Sequence, residues 1–283
     1  MPELPEVETI RRGLVGLVVR KNVVKITTFS AKSFVGDSNK VIGRKIVGVE
    51  RRGKALIVRL DGGWNLMVHL RMTGQLVYVG SKRFAGGHPD EGFVDELPNR
   101  HTRVIFDFSD GGRLFFNDQR KFGFVKVMSD KGLAGEAFLV KLGPEPWEMD
   151  GREFFERLGR KKNTSIKAAI LDQSVIAGVG NIYADEGLWR AGIFPEKRVR
   201  DMTELQVGKL LEGIRKVMYE SIRSGGSSMK NYVRADGTRG DYLEKFAKVF
   251  GRDGKKCERC GGTIKKIRVA GRGTHCCSEC QIC

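Results

Sequence analysis

The sequence predicts a multidomain α+β protein: an N-terminal antiparallel β-sandwich or barrel, then a helical region, then a small cysteine-rich module. Three observations carry this. Short β-rich runs follow one another from residue 22 to 128 without interleaved helices, helical periodicity takes over beyond a Gly-Pro-rich stretch, and all six cysteines lie in Cys257–Cys283. At 283 residues the chain is long enough for two modest domains, and its 40 % hydrophobic content can build cores. Charged residues make up 30 % without any low-complexity tract, which excludes general disorder.

In order along the chain, Val7, Ile10, Leu14, Leu17 and Val18 recur at three- and four-residue steps, which predicts a helix over residues 5–18 with Pro5 in its first turn. Strands are predicted at Val23–Thr28, Lys45–Glu50, Ala55–Leu60, Asn65–Leu70, Gln75–Val79, Arg103–Phe108, Arg113–Phe116 and Gly123–Met128. Asp61-Gly62-Gly63 and Asp110-Gly111-Gly112 are hairpin signals between neighbouring runs. Residues 80–100, with Gly86-Gly87, Pro89, Pro98 and several acids, read as a long loop. Two prolines and a glycine in Leu142–Pro146 mark a linker. Helical patterns follow at 151–159, 165–173, 181–191 and 203–223, and 224–250 is irregular. The expected domains are therefore 1–134, a linker at 135–148, a helical domain at 149–250 and a metal-stapled module at 251–283, which is too short to own a core without metal.

Fifty-one Lys+Arg against 34 Asp+Glu give a net charge of +17 and a pI near 9.8, a field that suits a polyanion such as nucleic acid or an anionic membrane. Eight Lys/Arg between residues 251 and 272 surround the cysteines against only Asp253 and Glu258, which favours nucleic acid. No segment approaches the ~20 apolar residues of a membrane span, and the N-terminus has no signal-like apolar run, so a cytoplasmic protein is expected.

Cys257-x2-Cys260 and Cys277-x2-Cys280 have the spacing of two zinc knuckles. A pair of disulfides is one alternative, and Cys280-x2-Cys283 as the second knuckle is another. Four thiolates leave no open position for water, so such a zinc is structural. At the other end, removal of Met1 would free Pro2 as a secondary amine with a pKa near 8, a candidate imine-forming nucleophile. From general principles alone, Pro2, Glu3, Pro5 and Glu6 simply decorate a helix start.

Context reverses that. The opening Pro2-Glu-Leu-Pro-Glu-Val-Glu-Thr9 with Arg11-Arg12-Gly13-Leu14 resembles bacterial formamidopyrimidine-DNA glycosylases. Further segments of the family follow in family order, and the resemblance runs from residue 2 to about 281. They are Arg51-Arg52-Gly53-Lys54, His69–Gly74, Arg100-His101-Thr102, Asp118–Gly123, Leu142–Pro146, Gly178–Ala184 and Gly271–His275. It implies a β-sandwich, a helix–two-turns–helix element and a four-cysteine zinc finger. The implied activity is base-excision repair: excision of oxidised purines from duplex DNA and cleavage of the abasic site, by a monomer in the bacterial cytosol and nucleoid.

Residue by residue, the resemblance makes Pro2 the nucleophile, Glu3 the acid/base, Lys54 a proton-transfer and phosphate-holding lysine, and Arg272 the phosphate-gripping arginine of δ-elimination. Met72, Arg120 and Phe122 match the side chains that fill the void left by a flipped base. By pattern alone Met72 and Phe122 would be core. His101, Arg120, Lys162 and Asn181 match DNA contacts, and Cys257, Cys260, Cys277 and Cys280 match the ligands of one structural Zn2+. Two positions depart from the usual pattern: Lys121 stands where a second arginine is frequent, and Cys276 where an aromatic is common. Ser227–Tyr242 resembles the loop that contacts the extruded base. Two rival readings are a sister enzyme for oxidised pyrimidines and a non-catalytic zinc-containing DNA-binding protein.

Overall fold

The computed structural model describes residues 1–87, 96–226 and 242–282. The chain divides into two compact units: Met1–Val140 with the stretch from Gly225, and Lys141–Ser224 with the stretch from Tyr242.

The first unit begins with helix α1 (Leu4–Val18), whose Leu4, Val7, Ile10, Leu14, Leu17 and Val18 form the buried stripe. Among the described residues ten strands follow: β1 (Val23–Thr28), β2 (Phe34–Val35), β3 (Ile46–Arg52), β4 (Ala55–Leu60), β5 (Trp64–His69), β6 (Gly74–Val79), β7 (Arg83–Gly87), β8 (Thr102–Phe108), β9 (Arg113–Asp118) and β10 (Phe124–Ser129). They form two five-stranded sheets, ordered β1-β8-β9-β6-β7 and β2-β10-β5-β4-β3. Alternation explains the sandwich. On β4, Leu56, Val58 and Leu60 enter the shared core with Phe106 and Phe116 of the other sheet, while Ala55 and Ile57 turn to the opposite face. That outer face is covered by α2 (Asp130–Ala134) and α3 (Ala137–Val140), through Leu133, Phe138 and Leu139.

Three features differ from the sequence reading. Residues 80–100, read as a loop, contain β7, whose Phe84 is core; residues 88–95 lie outside the described ones. Gly86-Gly87 disguised that strand, because β6 approaches so closely that a Cβ at Gly87 would meet the Gly74 carbonyl oxygen at 2.4 Å. β2, too short to predict, pairs parallel with β10, so the second sheet is not purely antiparallel. Ala137–Val140 is helical within the stretch read as linker, because Phe138 and Leu139 have an apolar face to cover.

The second unit holds α4 (Gly151–Gly159), α5 (Ile166–Leu171), α6 (Asn181–Ala191), α7 (Glu204–Arg223) and the short α8 (Tyr242–Lys245), followed by the hairpin β11 (Ile264–Val269) and β12 (Arg272–Cys277). Side-chain oxygens of Asp150, Ser165 and Thr203 cap α4, α5 and α7. Ala270 and Gly271 both have positive φ (47° and 76°), as a two-residue primed turn demands, and Arg272 leaves that turn as the first residue of β12. Among the described residues no helix is long and apolar enough to cross a membrane.

Candidate active site and nucleic-acid interface

In the first unit, Pro2 and Glu3 lie buried just ahead of α1, while Met1 is 47 % exposed. Glu3 is the N-cap, and it forms a reciprocal capping box with Glu6, whose Oε2 accepts the Glu3 N–H at 2.8 Å. Burial pushes the terminal amine's pKa below its ordinary 8.0; Glu3 and Glu6 oppose the shift and Lys54 reinforces it. Two carboxylates and a lysine therefore share the electrostatic environment of the chain's amino end.

Lys54 is buried at the β3–β4 turn, where Gly53 has a φ of 56°. Arg51 anchors that turn to α1. Its Nη1 donates to the Gly53 carbonyl at 3.1 Å and its Nε to Glu8 Oε2 at 3.2 Å. Burial alone would raise the Glu8 pKa, but hydrogen bonds from Arg11 and Arg12 and the charge of Arg51 outweigh it and hold it at about 2. Gly226, with φ 95°, packs on Glu6, so a Cβ there would lie 3.5 Å from Glu6 Cγ. The segment expected to meet the extruded base continues from that point, and its residues 227–241 lie outside the described ones.

Met72 and Phe122 are 39 % and 56 % exposed, so neither is core. They stand on the β5–β6 and β9–β10 turns, with the exposed Arg120 guanidinium 4.8 Å from the Phe122 ring centroid. Sequence reasoning missed what joins these turns. The fully buried Asp118 carboxylate accepts from Thr73 Oγ1 on the first and from the N–H groups of Arg120 (3.1 Å) and Gly123 (2.6 Å) on the second. His69, also missed, accepts the Arg71 N–H at Nδ1 (3.1 Å) beside Met72. His101 receives Arg100 Nε at 2.8 Å, and its carbonyl accepts the Asp118 N–H at 2.9 Å.

In the second unit, Asn181 opens α6 and its Nδ2 donates to the Gly273 carbonyl at 2.9 Å, which places the helix N-terminus beside the exposed Arg272. Lys162 is exposed on the turn before α5, and its carbonyl accepts the Arg200 N–H at 3.1 Å. The Sγ atoms of Cys257, Cys260, Cys277 and Cys280 all lie within 4.8 Å of one another, with Cys257–Cys280 at 3.7 Å and Cys260–Cys277 at 3.5 Å. Tetrahedral thiolates about 2.3 Å from zinc stand about 3.8 Å apart, so the donors fit one structural zinc ion. Trp189 Nε1 donates to Cys257 Sγ at 3.4 Å, an outer-shell contact the spacing could not show. Cys276 is buried on the other face of β12, and Cys283 lies outside the described residues.

Pro2 and Glu3 buried ahead of α1 beside carboxylates, Met72, Arg120 and Phe122 exposed on adjoining turns, and a basic finger with four clustered cysteines point to a DNA-processing class of protein. Three family descriptions match in succession: the formamidopyrimidine-DNA glycosylase N-terminal domain at residues 1–125, its H2TH domain at 142–233, and the zinc finger found in FPG and IleRS at 254–282. The formamidopyrimidine-DNA glycosylase of Desulfitobacterium hafniense is 39 % identical over 292 residues, covering 100 % of each chain. That of Pelotomaculum thermopropionicum is 40 % identical over 287 residues, covering 99 % of each. Among solved structures, a Lactococcus lactis FPG variant in complex with Fapy-dG-containing DNA superposes with a TM-score of 0.87 at 36 % identity, with 99 % of each chain covered. A complex of the Lactococcus lactis protein with abasic-site DNA gives 0.86 at 36 %, again over 99 % of each chain. The chain belongs to the formamidopyrimidine-DNA glycosylase family.

Proposed function

We propose that the chain is a base-excision repair enzyme, acting as a monomer in the bacterial cytosol and nucleoid. It removes oxidised purines, 8-oxoguanine and formamidopyrimidines, from duplex DNA and cleaves the resulting abasic strand by β,δ-elimination. The observation that carries this reading is the burial of Pro2 and Glu3 ahead of α1, in the electrostatic environment of Glu6 and Lys54. The relatives bound to Fapy-dG and abasic-site DNA support the choice of substrate.

Removal of Met1 leaves Pro2 as a secondary amine. Its nitrogen attacks C1′ of the lesion nucleotide, the new N–C1′ bond forms as the glycosidic bond breaks, and the base departs with a proton. Glu3 delivers a proton to the ring oxygen as C1′–O4′ opens, giving a cationic imine. The imine acidifies C2′, so loss of a C2′ proton expels the 3′ phosphate, and a second elimination expels the 5′ phosphate. Lys54 serves the first transfer and holds a phosphate, and Arg272 grips phosphate for the second with a bidentate guanidinium.

Met72, Arg120 and Phe122 fill the space vacated by the flipped nucleotide, which suits their exposure on adjoining turns. His101, Lys162 and Asn181 contact the DNA backbone, Asn181 from a helix N-terminus. The zinc held by Cys257, Cys260, Cys277 and Cys280 supplies folding energy to the finger and takes no part in the chemistry.

The test compares base release and strand cleavage on duplexes carrying 8-oxoguanine, formamidopyrimidine or thymine glycol. Faster processing of the purine lesions is expected. Faster excision of thymine glycol would move the enzyme to the pyrimidine class, and binding without cleavage would make it a non-catalytic reader.

A further inference from the structure

Lys167 and Asp185 form an ion pair in which both side chains are 0 % exposed, with Nζ 2.6 Å from Oδ1, and no step of the proposed chemistry uses either. Lys167 comes from the first turn of α5 and Asp185 from the second turn of α6, and both reach the zinc-finger hairpin at the residues that follow Arg272. Lys167 Nζ also donates to the Gly273 carbonyl (3.2 Å) and to Thr274 Oγ1 (2.7 Å). Asp185 Oδ2 accepts the His275 N–H at 2.8 Å. The Thr274 hydroxyl reaches back to the Arg272 carbonyl at 3.1 Å, and Asn181 Nδ2 is a second donor to the Gly273 carbonyl. Each of the three residues after Arg272 is thus tied to the helices, and the Arg272 carbonyl is tied in turn to the Thr274 hydroxyl.

Burying two charges is costly, and a well-packed apolar pair of similar volume commonly serves stability as well. What an apolar pair cannot do is make three hydrogen bonds to one three-residue stretch of backbone and hydroxyl. We infer that Lys167–Asp185 is a positioning pair that sets the approach of Arg272, and with it Asn181, to DNA phosphate. This rests on the phosphate role proposed for Arg272. An exposed arginine on a hairpin held only by its own ladder would sample many directions, and a fixed carbonyl and hydroxyl beneath it narrow that range.

The experiment uses full-length, zinc-loaded protein. Lys167→Met with Asp185→Asn removes both charges at nearly constant volume and leaves His275 N–H an acceptor. The double variant is expected to retain one zinc per chain and borohydride trapping on abasic DNA. Its δ-product share should fall, and its log–log salt slope for undamaged duplex should drop by about one unit, as in Arg272→Ala. An unchanged product ratio and slope would overturn the inference. Should the double variant fail to fold, Thr274→Val removes the hydroxyl link while keeping the pair, with a smaller shift in the same direction expected and no shift contradicting it. Arg272→Ala separates the two claims: if it alters neither readout, the phosphate role fails, whereas an effect there with none in the double variant defeats only the positioning role.

Discussion

The Glu6 carboxylate accepts the backbone N–H of Glu3 at 2.8 Å, so the residue that caps α1 is itself held from one turn inside the helix. The direction in which Pro2 leaves the helix depends on this contact, since Glu3 and Pro2 share a peptide bond.

Glu6→Ala is therefore expected to act twice. Loss of the capping box should cost about 0.5–2 kcal/mol of stability, and strand cleavage should fall by more than duplex affinity does. Denaturant melts alongside cleavage and binding assays check this; affinity falling in step with cleavage would contradict it.

Gly13 sits inside α1, where glycine ordinarily costs about 0.5–1 kcal/mol relative to alanine. Here the sign reverses, because a Cβ would lie 2.3 Å from Phe84 Cε2 and Phe84 is 2 % exposed with little room to move. Gly13→Ala should destabilise by about 1–2 kcal/mol in urea melts, the overpacking cost exceeding the propensity gain. A stabilised variant would show that α1 stands further from β7 than described.

Burial, reinforced by the charges of Arg71 and Lys54, pushes the His69 pKa from 6.5 down to about 3. Between those values the unfolded chain holds a proton that the folded chain does not, so His69 makes stability fall as pH drops through this window. His69→Asn keeps an acceptor for the Arg71 N–H and cannot titrate. Between pH 6.5 and 5, where carboxylates are still ionised, the wild type should lose on the order of 1–2 kcal/mol more than the variant. Parallel pH profiles would refute the buried neutral imidazole.

The zinc register is decided by three variants. Cys277→Ala should release zinc and abolish duplex binding, while Cys276→Ala and Cys283→Ala should keep one zinc per chain and cleave almost normally. Metal analysis by mass spectrometry checks this. A requirement for Cys283 with Cys277 dispensable would move the second knuckle by three residues.

Much of the fold was legible because local pattern and tertiary environment agree. The near-continuous apolar run of Ala55–Leu60 is that of a strand buried on both faces, and the predicted bounds of Val23–Thr28, Ala55–Leu60, 151–159 and 181–191 coincide with β1, β4, α4 and α6. Phe84 and Ala85 were lost among glycines whose role is close sheet packing. The exposure of Met72 was legible only through the family resemblance, since a methionine in an apolar run is core by pattern. Asp118 and the Lys167–Asp185 pair went unread because partners such as Thr73 and Thr274 lie 45 and 107 residues away in the chain, and His69 because burial rather than its neighbour Arg71 sets its state; Lys167 on the apolar face of Ile166–Leu171 was the one local sign that a buried partner existed.

Whether Pro2 is the nucleophile is read directly by peptide mass analysis of the adduct trapped with borohydride on 8-oxoguanine duplex. The imine formed by a secondary amine is cationic and is reduced to a stable tertiary amine. The expected adduct is protein without Met1, with the sugar remnant on Pro2. Attachment at Lys54, or equal trapping by protein that retains Met1, would contradict it.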